Sequence, residues 1–398
     1  MNRTGNWRQS FQACLALILA MLCAGRAWAD PLVTNVLASQ RAGTKLVDVY
    51  YGLSGTGAMT VSMGVSSDGG ATYAIAASSF SGDIGSSVTA GSSRHIVWNA
   101  GADWNGKVSS QMRFKVTASD APSGMSLIPA GNFSMGDSLG DGYSDELPVH
   151  TVNVSQYYMD QTLVTYAQWQ SVYTWAVAHG YGFDNAGSGK AGNHPVQAVD
   201  WYDCVKWSNA RSEMGGLTPC YTVGGNVYRT GQSAPVCNLG ASGYRLPTEA
   251  EWEKAARGGL SGQRFPWGNT IDRSKANYYV YSSNGSTNYF FYDLGTPIGY
   301  DPAYATGASP YTSPVGSFGA NGYGLYDMAG NVWAWCWDWY GSYGSGAQTD
   351  PTGAASGTFR VLRGGGWNDV AYDCRVSIRI DYDPTGSYYG NGFRCVRR

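Results

Sequence analysis

At 398 residues and a net charge of −2, the chain has no basic field of the kind that holds nucleic acid or an anionic membrane. Its 55 glycines, 29 tyrosines and 15 tryptophans stand against only 14% charged residues, which excludes a disordered chain, since such chains avoid aromatics. This composition predicts a loop-rich fold of two domains held by aromatic packing, with any remaining Trp and Tyr available as a stacking surface for peptide or glycan.

The first element is a leader. Arg3 and Arg8 precede an apolar run from Ala13 to Ala24, and Ala27 and Ala29 supply the small-x-small pattern of signal peptidase sites. Residues 1–29 therefore read as a signal peptide cleaved after Ala29. The apolar run is too short for a stable transmembrane helix. The expectation is a secreted or periplasmic protein without a membrane anchor. Cleavage removes Cys14 and Cys23 and leaves Cys204, Cys220, Cys237, Cys336, Cys374 and Cys395. In an oxidising compartment an even count favours disulfides.

Residues 30–118 follow period 2. "MTVSMGV" puts Val61, Met63 and Val65 on one face, and "QMRFKVT" does the same with Met112, Phe114 and Val116. "KLVDVYYGL" and "RHIVWNA" add strands, and "SSDGGATY" reads as a hairpin turn. Short strands with turn signals and no helix predict an all-β sandwich of immunoglobulin or fibronectin type, acting as a spacer or a docking module. "SDAPSG", residues 119–124, is the linker.

Residues 125–398 form the second domain. Thr165 caps "YAQWQSVYTWAVAHG", and "VDWYDCVKWSNARSEMGG" has helical spacing up to Gly215–Gly216. In "LPTEAEWEKAARGG", Thr248 and Glu251 make a capping box and Gly258–Gly259 end the helix. Cys220 and Cys237 flank two strand-like runs around Gly224–Gly225, which favours a local disulfide. Close to the C-terminus, "RGGGWNDVAYDCR" leads a glycine-rich turn into Cys374, which could be a nucleophile, a metal thiolate or half of a disulfide.

The stretches "MSLIPAGNFSMGD", "ELPVHTVNV", "HPVQAVDWYD", "GYRLPTEAEWEKAARGG", "RFPWGN", "NGYGLYDMAGNVWAW", "RVLRGGGW" and "GFRCV", in this order, resemble the formylglycine-generating enzyme (sulfatase-modifying factor) family. The resemblance covers nearly all of residues 125–398. It implies an α+β, C-type-lectin-like fold with little regular secondary structure. It also implies a chemistry to test: oxidation of a substrate cysteine with Cu(I) held by two cysteines five positions apart. In the family's pattern a Ser stands where Gly366 is and the first cysteine where Asp369 is. Counted without gaps, Cys374 falls on the second cysteine; anchored on the C-terminal motif, it is the family's structural cysteine. Neither register yields a pair, and one thiolate beside a hard carboxylate is a poor Cu(I) site.

Copper oxidase turnover is therefore not expected, and Cys374 is the sole catalytic candidate. A non-haem iron site of the ergothioneine type would need more ligands than His95, His150, His179 and His194 offer. The resemblance also implies calcium sites, one from Asp327, Gly330 and Val332, with Ala334 where a Glu usually stands, and another from Asn277 and Tyr278. For the cysteines it implies Cys204–Cys395, and leaves Cys336 for Cys374.

Between Asn368 and Asn391 the sequence mixes Tyr, Asp, Asn, Ser and Gly, the composition of binding loops. It resembles the variable region of diversity-generating retroelement proteins, some of which use this fold. The ligand-binding candidates are Trp333, Trp367, Asn368, Asp369, Tyr372, Asp373, Tyr382, Tyr388 and Tyr389. The expected function is binding of a protein, peptide or glycan without catalysis; the competing class is a formylglycine-generating oxidase or a related oxidoreductase.

Overall fold

A computed structural model describes residues 31–119 and 122–398. The expected leader, residues 1–29, and Asp120 and Ala121 of the expected linker lie outside them. The chain divides into two compact units, one ending at Ser123 and the other running from Gly124 to Arg398.

The first unit is built on β1 (Leu32–Gln40), β2 (Leu46–Ser66), β3 (Phe80–Gly82), β4 (Gly85–Asn99) and β5 (Arg113–Ser119). Strand β2 pairs antiparallel with β4 on one edge; on the other, its first half takes β1 and its second half β5. The strands thus form one five-stranded sheet where two separate sheets were expected. Strand β2 runs on past Gly55, at φ 149°, and both its halves are bonded to β4, with an irregular register between Leu53 and Ala58. The alternation is as read, with Val61, Met63 and Val65 buried alongside Ile96 and Trp98. The turn at 66–73 returns the chain only to a single bridge between Val65 and Ile75.

The second unit has mixed sheets and few helices. Helices α1 (Tyr166–Ala178), α2 (Trp201–Met214) and α3 (Glu249–Arg257) start where their caps stand. Thr165 Oγ1 accepts from Gln168 N at 3.1 Å, Asp200 Oδ1 from Asp203 N at 2.7 Å, and Thr248 Oγ1 from Glu251 N at 3.2 Å. Gly258, left-handed at φ 58°, ends α3.

Strands β6 (Met125–Ile128) and β9 (Tyr157–Asp160) pair antiparallel, as do β7 (Gly131–Met135) and β8 (His150–Val154). Short strands β10 (Tyr221–Val223), β11 (Asn226–Val227) and β12 (Val236–Cys237) make a sheet of their own. The sheet that positions the site contains β13 (Trp333–Trp339), β15 (Arg360–Arg363), β16 (Ile380–Tyr382) and β17 (Asn391–Gly392), in the order β16-β15-β13-β17, while β14 (Gln348–Thr349) lies beside β8 in another sheet. The last strand, β18 (Val396–Arg397), closes on β9.

Aromatic rings and buried ion pairs hold this irregular chain. The Trp169 and Trp207 rings stack at 5.8 Å with an interplanar angle of 2°, and Phe393 meets both edge-on. Arg245 grips Glu251 at 2.6 and 2.7 Å, Arg375 grips Glu146 at 2.7 and 2.6 Å, and Arg379 grips Glu249 at 2.7 Å twice. Paired this way, charges deep in the protein are satisfied; deleting one partner would strand the other. Among the described residues, no helix is long and apolar enough to cross a membrane.

Candidate functional site

The turn that opens the site is fixed by close packing. Arg363 is buried, bonded to Glu253 and to the Ser377 carbonyl at 2.7 Å. Gly364 (φ 99°) and Gly365 (φ 73°) then pass so near their neighbours that an added Cβ would lie 2.9 Å from Trp252 and 2.6 Å from the Asp373 carbonyl. The turn delivers Trp367, whose N–H donates to the Asn331 carbonyl at 2.8 Å.

Around Trp367 an aromatic wall assembles. Its ring lies 5.5 Å from Tyr300, 5.3 Å from Tyr311 and 6.0 Å from Tyr389, with Tyr388 a further 4.1 Å from Tyr389. Behind it, Trp333 Nε1 donates to Asp369 Oδ2 at 2.7 Å, and Asn368 Nδ2 donates to the Tyr388 hydroxyl at 3.2 Å. Burial pushes the Asp369 carboxyl above its ordinary range, against the opposing pull of the Trp333 donor. Three shielded polar atoms here have no partner: Trp367 Nε1, Asn368 Oδ1 and Asn391 Nδ2.

The expected binding residues do not all converge. Trp333, Trp367, Asn368, Asp369, Tyr388 and Tyr389 come together. Tyr372 packs instead against Phe290 (5.8 Å), Tyr143 (4.9 Å) and the Arg375 guanidinium (4.0 Å). The neighbouring Asp373, pushed up to about 6 by burial and by Asp369, closes its own turn by accepting from Val370 N at 3.4 Å. Tyr382, on β16, lies edge-on to Trp335. Tyr300 and Tyr311 were not singled out from the sequence, because they reach Trp367 from separate stretches without periodicity.

A two-thiolate copper site does not fit these residues. Cys374 is fully buried in an apolar cluster with Phe265, Tyr278 and Tyr292, and burial beside Asp373 and Asp369 pushes its thiol well above the usual range. A thiol so disfavoured as thiolate is a weak soft-metal ligand. Asp369, which stands where the resemblance puts the other cysteine, is committed to Trp333.

The two expected calcium sets lie side by side, since a Cβ on Gly330 would fall 2.4 Å from the Asn277 carbonyl. The Asn277–Tyr278 set does not fit an ion. Asn277 Nδ2 donates to Tyr311 O at 2.8 Å, and Arg273 Nη1 donates to Tyr278 O at 3.4 Å. The same guanidinium reaches Pro297 O at 2.7 Å and Gly299 O at 2.6 Å, so a cation already sits among these carbonyls. At the other set, Asp327 Oδ2 accepts from Gly316 N at 2.7 Å while Oδ1 has no partner. One orphaned oxygen suits a cation, but the Arg394 guanidinium, 3.1 Å from Asp327 O, brings positive charge to the same place. With Ala334 on β13 supplying no carboxylate, the charge falls short of what calcium needs.

A further acidic cluster was missed by sequence reasoning: Asp184, Asp200 and Asp203. Here too the chain supplies its own cation. Lys206 Nζ lies 3.0 Å from Asp184 and 3.1 Å from Asp203. Asp200, pushed up to about 7 by burial and by Asp203, caps α2.

No disulfide joins the six described cysteines in this structure. Cys220 and Cys237 stand on adjacent chain, with Asn238 N donating to Cys220 O at 2.8 Å. Cys204 and Cys395 share Ser208, whose hydroxyl is 2.8 Å from Cys204 O and 3.5 Å from Cys395 Sγ. Cys336 and Cys374 are not brought together. Cys336, on β13, faces the cluster of α3, and Cys374 faces that of Tyr278.

Residues 111–398 match the sulfatase-modifying factor enzyme 1-like domain. A formylglycine-generating enzyme of Streptomyces coelicolor is 34% identical over 302 residues, covering 69% of this chain and 88% of its own length. A Paenibacillus barcinonensis protein called chaperone protein LppX is 32% identical over 282 residues, covering 68% of this chain and 88% of its own. Among solved structures, Treponema denticola variable protein 1 superposes with a TM-score of 0.53 at 32% identity, over 69% of this chain and 94% of its own.

Proposed function

The chain belongs to the sulfatase-modifying factor family, and from that premise we propose that it is an exported binding member of it, without copper oxidase turnover. Its ligand, a protein, peptide or glycan, meets the exposed rings of Tyr389 and Tyr300, with the half-buried Tyr388 and Tyr311 beside them and the buried Trp367 as their backing. One observation carries the reading: Asp369, bonded to Trp333, stands where a second thiolate would have to be, while Cys374 is shut in an apolar core. A solved relative named as a variable protein is compatible with a scaffold that presents a changeable surface.

Export rests on the leader pattern of residues 1–29 and places the protein in the periplasm or outside the cell. There, Cys220–Cys237 and Cys204–Cys395 are the pairings that the neighbouring backbone favours. Any calcium binding falls to the Asp327 set and is weak, since only one unpartnered carboxylate oxygen is offered there.

The identity with the Streptomyces coelicolor enzyme favours a second reading, a formylglycine-generating oxidase. Incubation with Cu(I), oxygen and a Cys-x-Pro-x-Arg peptide, followed by mass spectrometry, separates the two. The binding reading expects an unchanged peptide; conversion of its cysteine to an aldehyde would overturn it.

A further inference from the structure

The first unit carries an open cavity of about 730 Å³, lined by β1, by the chain from Trp98 to Ser109 and by the start of β5. Cavities of this size hold small organic ligands. Its apolar wall is rigid. Trp98 is 1% exposed, its Nε1 donates to Asp103 Oδ2 at 2.8 Å, and its ring meets Phe114 edge-on at 6.0 Å. Trp104 and Met112 extend that wall towards solvent, and Val108, 95% exposed, stands on the rim.

The polar lining has one sign. Lys45, Lys107 and Arg113 line the cavity, and no Asp or Glu does. Lys45 Nζ donates to Asn105 Oδ1 at 2.6 Å and Arg113 Nη1 to Met112 O at 2.9 Å, both neutral oxygens. Asp103, just before Trp104, is spent on the Ser79 and Ser78 amides at 2.8 and 2.9 Å and on Trp98, which hold it well below the usual carboxylate range. Three cations without a lining acid, in a chain of net charge −2, form a local positive site beside an apolar wall.

We propose that this cavity binds an anionic amphiphile, a single apolar tail with one carboxylate or comparable head. The tail lies against Trp98, Trp104 and Phe114, and the head meets Lys107 and Arg113. Charge complementarity selects this occupant: a cationic amphiphile would set like charges together, and a neutral one would leave the cations unanswered.

Isothermal titration of the full chain with dodecanoate, below its micellar concentration, tests the assignment. The expected result is one saturable site per chain, with affinity falling roughly threefold to fourfold for each methylene removed in decanoate. Dodecyltrimethylammonium and dodecyl maltoside should bind at least tenfold more weakly. Lys107 and Arg113 are exposed, so the pair Lys107→Glu and Arg113→Glu should fold normally and lose at least tenfold in dodecanoate affinity. Val108→Asp, at a position with nothing over it, should weaken binding in the same direction and keeps the test decisive if the pair fails to fold. Absence of dodecanoate binding, equal binding of the cationic probe, or unchanged affinity in these variants would overturn the proposal. So would a concentration-dependent dimer abolished by Val108→Asp, which would make a second copy the occupant.

Discussion

Trp333 Nε1 donates to Asp369 Oδ2 at 2.7 Å, joining β13 to the loop that follows the glycine turn. The bond ties the Asp369 carboxyl to the floor of the aromatic wall. A single polar contact thus commits that carboxyl and braces the rings on which a ligand would stack.

If that surface binds, its exposed ring should dominate. Tyr389, 46% exposed and packed beside Trp367, is the expected hot spot, and Tyr389→Ala should cost about 1–3 kcal/mol of binding free energy with little change in Tm. Tyr372→Ala should do the reverse, lowering Tm through loss of its contacts with Phe290, Tyr143 and Arg375 while binding holds. Thermal melts and titration with a ligand selected from a peptide or glycan array read both. A Tyr372 variant that melts normally yet fails to bind would move the surface to the other side of the loop.

Arg273 should substitute for an ion. Its guanidinium serves the Tyr278, Pro297 and Gly299 carbonyls, so chelator should leave the loops around it unaltered. Arg273→Met should cost about 1.5–3 kcal/mol, the range for hydrogen bonds to a charged group. Denaturant unfolding of both proteins with EDTA and with millimolar calcium measures this. A wild-type protein that loses stability in EDTA, with Arg273→Met indifferent, would return calcium to this set.

The sequence made some of this legible and hid the rest for physical reasons. Thr165, Thr248 and Gly258 act within one helical turn, so their caps could be read directly. The period-2 burial of Val61, Met63 and Val65 was equally local. The union of β1 and β5 on one edge of β2 is a pairing between distant segments, which no local periodicity reports. The meeting of Tyr300 and Tyr311 with Trp367 is a long-range contact between irregular segments. Arg273 lies four residues before Asn277, close enough to notice, yet only its carbonyl partners reveal its role.

Stability should depend on pH through Asp200. Its folded carboxyl is pushed up to about 7 from an ordinary 3.8, so between those values the folded protein holds a proton that the unfolded chain releases. Folding stability from this group therefore falls as pH rises from about 4 to 7 and stays reduced above. Asp200→Asn keeps a capping oxygen for Asp203 N and removes the penalty. It should be more stable than the wild type at pH 8, by on the order of 1–3 kcal/mol, with the gap closing near pH 4. Urea midpoints across that range check the sign; a gap that widens on acidification would mean that Lys206 holds Asp200 ionised.

Gly364 sets the direction of the whole loop, and the cost of changing it can be separated from a general intolerance of alanine. At φ 99° a side chain is strained, and a Cβ would press within 2.9 Å of the Trp252 ring, itself 1% exposed and unable to retreat. Gly364→Ala should therefore destabilise by about 2–4 kcal/mol, combining backbone strain with overpacking. Gly319→Ala, at an exposed position with an ordinary φ and nothing within 4 Å, is the matched control and should shift stability by less than about 0.5 kcal/mol. Because Trp367 follows three residues later, the strained variant should also redden or blue-shift tryptophan emission before it unfolds, and should lose ligand binding under conditions where its circular dichroism is still native. Equal stability of the two variants would show that the turn can yield, and that Trp367 is placed by its bond to the Asn331 carbonyl instead.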